Sequence, residues 1–107
     1  MSRPLRLDIL DIPFEVVWDD TTDHDDDGDE ASIETGTQRV LMFSKTFGPD
    51  HERRVMLHEI LHGIISLTSQ EDRFVKGGEE NIVDSMSTAL LQVLRSNPHL
   101  VRYLVDR

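Results

Sequence analysis

The first strand-like run in the chain is Ile12-Pro13-Phe14-Glu15-Val16-Val17-Trp18, rich in β-branched and aromatic residues. A second, Gln38-Arg39-Val40-Leu41-Met42-Phe43-Ser44, follows after a polar stretch over residues 19–37 that carries Gly28 and Gly36. The simplest arrangement is a β-hairpin, or a small antiparallel sheet, with a long mobile acidic loop at about 19–37. That loop has room for a short extra strand near Ser32 to Thr35.

After Phe47-Gly48-Pro49-Asp50 the period changes from two to 3.6. Val55, His58, His62 and Ile65 follow a 3-4-3 spacing, which predicts a helix from about residue 50 to 68. Leu57, Ile60, Leu61 and Ile64 form a second apolar stripe beside the first. A helix apolar over so much of its circumference should be largely buried, which would set His58 and His62 in a wall of the core. Gly77-Gly78 closes the following loop. A second helix is expected from about Glu79 to Arg95, with Glu79 and Glu80 at the positive end of its dipole and Ile82, Met86, Ala89, Leu90, Val93 and Leu94 facing the core. Asn97-Pro98 stops it, and Pro98 can open a short third helix holding Leu100, Val101, Tyr103 and Leu104. The fold class is therefore α+β, with the β-hairpin packed on two long helices and a short C-terminal one.

With 107 residues, the chain has material for a single modest core, and one domain over residues 1–107 is expected. The formal charge of −10 argues against nucleic acid or an anionic membrane as partner, since both require a basic surface. Much of this charge is local, because residues 19–30 hold eight acids in twelve positions. Without cysteine there are neither disulfides nor thiolate metal sites, and any metal must be held by nitrogen and oxygen. The N-terminal MSRPLRLDILDIPFE has acids inside its apolar part, so no secretory leader is expected there, and no apolar run approaches membrane-spanning length. A cytoplasmic protein is the default expectation.

The candidate chemistry lies in Leu57-His58-Glu59-Ile60-Leu61-His62-Gly63. Residues four apart on a helix sit one turn above each other, so His58 and His62 can aim two imidazoles at one point. Glu59, one step round the helix, can reach a water bound there. This is the mechanical content of the HExxH pattern: two neutral histidines on Zn²⁺, with the glutamate as general base. The competing account is a pair of ordinary helix histidines. A catalytic zinc also needs a third protein ligand and an open position for water. On the second helix, Glu80 and Asp84 share a face: Glu80 can bind the metal, while Asp84 accepts a hydrogen bond from the far nitrogen of a ligand histidine. Glu79 is a rival third ligand, but it points about 100° away and finds Val83 at the next turn.

Taken together, His58-Glu59-Ile60-Leu61-His62 followed by Glu80-Asn81-Ile82-Val83-Asp84 resembles the gluzincin pattern HExxH…ExxxD. The size, the preceding strands and the helix ending in Asn97-Pro98 are similar to the compact ImmA/IrrE-type metallopeptidase domains of phages and bacteria. The resemblance covers about residues 38 to 98. It implies zinc held by His58, His62 and Glu80, support of a ligand imidazole by Asp84, catalysis by Glu59, and a peptide or protein as substrate. The residue that stabilises the developing oxyanion has no recognisable position; His51, His99 and Tyr103 are the candidates.

A second metal-like run, DHDDDGDEASIE from Asp23 to Glu34, matches the spacing of an EF-hand calcium loop. So Asp-rich a stretch satisfies that template easily, and its flanks read as strands where an EF-hand needs helices. A solvated loop is the simpler reading, with calcium binding a minor alternative. The functional expectation is a zinc metallopeptidase; the alternative is a non-catalytic, zinc-stabilised binding protein, such as a phage or host regulatory factor.

Overall fold

A computed structural model of the chain describes residues 3–68 and 78–106, without the side chains of residues 79–82 and 84. Four strands, β1 (Arg6–Ile9), β2 (Ile12–Asp19), β3 (Ala31–Glu34) and β4 (Arg39–Phe43), precede three helices, α1 (Pro49–Thr68), α2 (Gly78–Ser96) and α3 (Pro98–Val105). The domain is α+β. The helices start where the sequence breaks its strand pattern: Pro49 and Pro98 occupy first turns, where a missing N–H costs nothing. α1 and α2 run 20 and 19 residues, about 30 Å each, against a long axis of 41 Å. The expected pair of long helices is thus corrected to helices of moderate length, α2 being cut off at Asn97-Pro98.

The sheet is mixed, in the order β1-β2-β4-β3. β2 and β4, the two strand-like runs of the sequence, are indeed neighbours, yet they run parallel, with Val16 beside Val40 and Trp18 beside Met42. The expected hairpin between them is therefore corrected. Each instead has its own antiparallel partner, β1 for β2 and β3 for β4. The acidic segment is the crossover that makes the parallel pairing possible. It leaves the end of β2, passes the end of β4 and returns as β3. Both its ends are tied to the end of β4: Ser44 N donates to Asp19 O, Ser44 Oγ to Asp20 at 2.6 Å, and Phe43 N to Glu30 O.

The β1–β2 hairpin turns on Leu10 and Asp11, both with positive φ (54° and 66°), in a two-residue loop of the kind that usually selects Asn-Gly. The strain is offset locally. Asp11 N donates to the Asp8 carboxylate at 2.9 Å, and Leu10 N donates to Gln92 on α2 at 3.0 Å.

One face of the sheet carries Leu7, Ile9, Phe14, Val16, Val40 and Met42, all buried. Against it pack Met56, Ile60 and Ile64 of α1, Ala89 and Val93 of α2, and Leu100 and Tyr103 of α3. The outer edge of β1 is sealed by side chains where α2 passes into α3. Asn97, only 1% exposed, accepts from Asp8 N at 2.8 Å and donates from Nδ2 to Asp8 O and Val93 O, both at 2.7 Å. His99 bonds Arg6 O at 2.8 Å. An edge that would otherwise present open backbone groups is in this way closed. No helix among the described residues is long and apolar enough to cross a membrane.

Candidate functional site

α1 is held at its start by a buried polar cluster. Glu52 accepts a 2.7 Å hydrogen bond from the Tyr103 hydroxyl and a 3.0 Å ion pair from Arg3, whose guanidinium stacks 4.4 Å from the centre of the Trp18 ring. Burial first, then the Glu52 carboxylate, push the Tyr103 hydroxyl far above the ordinary tyrosine range. Arg53, the next residue, donates from Nε to Tyr103 O at 2.8 Å. These contacts fix the rotation of α1, and so decide which of its residues face the core.

The buried stripe is Glu52, Met56, Glu59, Ile60, Gly63 and Ile64. His58 and His62 stand outside it and are exposed, contrary to their expected place in a wall of the core. The reason is the apolar count: Leu57, Leu61 and Ile65 are only half-buried, so the helix has one core face and not two. Gly63 lets β3 come close. A Cβ there would lie 2.7 Å from Cδ1 of Ile33, so its absence allows the strand to sit directly against the turn that carries His62.

The two histidines converge. Their Nε2 atoms are 3.0 Å apart, with the rings 4.6 Å between centres and inclined at 73°. Two nitrogens bound to one tetrahedral zinc at 2.0–2.1 Å would be about 3.3 Å apart, so the pair needs to open by only a few tenths of an ångström. Glu59 lies on the adjacent face, 7% exposed, and no described residue offers its carboxylate a hydrogen bond. Burial pushes this carboxyl above the usual glutamate range; His58 and His62 pull it back and Asp29 pushes it further up. A buried carboxylate with no partner is costly to a fold, and such groups concentrate where chemistry is done.

Two adjoining clefts of about 410 and 380 Å³ open beside this group, sharing Asp29, Ala31, His58 and Glu59. The first runs toward the N-terminal end of α1, past Val55 to His51 and Arg54; the second runs along β3 toward His62 and Ser66. Of the three candidates for an oxyanion partner, only His51 reaches the cleft. Its Nε2 pairs with Glu30, and its Nδ1 faces Arg54 Nη2 at 3.1 Å. His99 is occupied by Arg6 O and Tyr103 by Glu52.

Residues 80 and 84 lie on α2, but their side chains, like that of Glu79, fall outside the described residues. Among the described residues no cluster of three or more metal-ligating side chains is present. The chemistry of the histidine pair with its buried carboxylate nevertheless fits a zinc ion lacking one further ligand.

In the acidic run, Asp25 is occupied by its own loop: its carboxylate accepts from the amides of Asp27 (2.9 Å) and Asp29 (2.8 Å), with Gly28 at φ +84°. No helix flanks the run, and Glu34 is the last residue of β3. Sequence reasoning missed three residues of the cleft wall, Asp29, Glu30 and Arg54. Arg54 had a signal, since it stands one turn before His58 on the same face. Asp29 and Glu30 had none, because only the crossover brings them to α1.

No family model matches the chain, and neither the curated proteins nor the solved structures contain a significant match to it.

Proposed function

We propose that the chain is a zinc-dependent peptidase that hydrolyses peptide bonds with Glu59 as general base. One observation carries this reading: a carboxylate 7% exposed and without a hydrogen-bond partner among the described residues, set in a cleft beside two imidazoles whose Nε2 atoms converge to 3.0 Å. His58 and His62 would hold the metal, and Glu80, on α2, is proposed as third ligand with Asp84 supporting a ligand imidazole. When bound, zinc supplies a Lewis acid and a water acidic enough to ionise near neutral pH. Glu59 takes a proton from the attacking water. The water oxygen bonds to the carbonyl carbon, the C–N bond breaks, and Glu59 returns the proton to the amine as it leaves. The buried site of Glu59 suits the first half of this task, since a raised pKa makes the carboxylate a better proton acceptor. Arg54, held by His51, stands along the cleft where it can engage a substrate carbonyl.

The competing reading is a structural zinc clamp in a non-catalytic binding protein. Structural zinc is closed by four protein ligands, whereas this histidine pair faces an open cleft, which favours catalysis. A chelation experiment separates them. Hydrolysis of a random peptide mixture is expected to stop when zinc is removed and to return on its addition, with the fold retained. Unfolding on chelation, with no hydrolysis beforehand, would mark the site as structural.

A further inference from the structure

The cleft carries an excess of acids along its whole length, since Asp29 and Glu59 line both of its halves. In the half that runs beside β3 toward His62 and Ser66, the charged lining groups among the described residues are Asp29 and Glu59, both acids. The other half shares both of these acids and adds Glu30 and Arg54, which bracket His51 and nearly offset each other. Asp29 has no cationic partner among the described residues, and its charge reaches the buried Glu59 carboxylate. Behind it stands the crossover, with eight acids over residues 19–30, in a chain of net charge −10. Glu59, more than nine-tenths buried and without a hydrogen-bond partner among the described residues, adds a second acid to the wall that both halves share. Charge of one sign along a cleft with low-dielectric walls concentrates ligands of the opposite sign.

We propose that the substrate is a cationic peptide, which places a lysine or arginine side chain against Asp29 next to the bond to be cut. The proposal rests on the reading of the site as a peptidase centre. Asp29 acts on the substrate's side chain, not on the reacting atoms, so it sets specificity. Its carboxylate is solvent-exposed, and a single pair of this kind is worth up to about 1 kcal/mol, or roughly fivefold.

The test has two arms. In the first, the zinc-loaded chain and its Asp29→Asn variant digest a random peptide mixture, and the cut sites are read by mass spectrometry. Lysine and arginine are expected within two residues of the cut about three- to fivefold more often than in the mixture, an enrichment lost in Asp29→Asn. In the second arm, the zinc-loaded Glu59→Gln chain is titrated with labelled peptides that differ only in bearing lysine, glutamine or glutamate. The lysine peptide should bind tightest, and its advantage should shrink as salt rises from about 0.1 M to 1 M, where the screening length falls to roughly 3 Å. Cut sites with no basic enrichment, or an enrichment that survives Asp29→Asn, overturn the substrate class and leave the peptidase reading standing. If nothing is cut, the peptidase reading fails and the binding arm decides alone: equal binding of the three peptides overturns the proposal.

Discussion

Replacing Glu59 by Gln is expected to leave zinc bound and the fold intact while lowering hydrolysis by at least about 100-fold. A positioned general base is worth roughly 10² to 10⁴ in rate, and glutamine keeps the shape of glutamate without its basicity. The substitution also removes a buried carboxylate that has no hydrogen-bond partner among the described residues, so the variant should melt no lower than the parent. This combination distinguishes a catalytic group from a structural one. A structural glutamate on the core face of α1 would lower the melting temperature when altered and leave turnover alone. Parallel measurements of zinc content, thermal melting and peptide hydrolysis on the two proteins check it, and unchanged turnover in Glu59→Gln would remove Glu59 from the mechanism.

The second large effect concerns stability. Asn97→Ala removes three hydrogen bonds at once and strands the N–H and C=O of Asp8 on the sealed edge of β1, along with Val93 O. With one net hydrogen bond worth about 1 kcal/mol and each buried orphan group costing about 1–3, a loss of roughly 2–4 kcal/mol follows. For a domain of this size that is a fall of roughly 8–20 °C in melting temperature. Asn97→Asp should recover little, because it keeps the acceptor for Asp8 N, loses the donor to Asp8 O and Val93 O, and buries a charge. Thermal unfolding of the three proteins is the measurement. A change of under 1 kcal/mol in Asn97→Ala would mean that the junction between α2 and α3 does not hold the sheet edge.

What the sequence disclosed and what it hid follow from the range over which each signal acts. Helix signals are local: Pro49, the 3.6-residue period and Asn97-Pro98 placed all three helices within a residue or two of where they run. Strand composition is also local, so β2 and β4 were legible. Their relative direction was not, because it depends on the path between them; a β-rich run reads alike whether its neighbour is parallel or antiparallel. β1 (RLDI) is four residues long and half polar, too short to show a period, while β3 (Ala31–Glu34) falls within a residue of the short extra strand for which the acidic loop had room near Ser32 to Thr35. Asn97 read only as a helix stop, though its larger part is to complete the hydrogen bonding of a strand 89 residues away.

In the site, the spacing of His58 and His62 was enough to foretell that their Nε2 atoms meet, since helix geometry alone sets it. Their exposure was misjudged because residues 57, 61 and 65 were counted as core. The case for a functional role thus moves from the imidazoles, which lie open to solvent, to Glu59, which is buried without a hydrogen-bond partner among the described residues. The acidic run changed its meaning most. In the sequence it was a solvated loop with a calcium-like spacing; in the fold its last residues, Asp29 and Glu30, form the wall facing α1.

The central claim is that His58 and His62 hold a zinc ion over which Glu59 acts as base. Anomalous diffraction at the zinc edge, from crystals of the zinc-loaded chain, tests it most directly. The account predicts one peak per chain about 2.0–2.1 Å from Nε2 of both histidines, with Glu80 as a further ligand and the Glu59 carboxylate beyond bonding distance, facing an open coordination position. Zinc elsewhere in the chain, or zinc bound directly by Glu59, would contradict it.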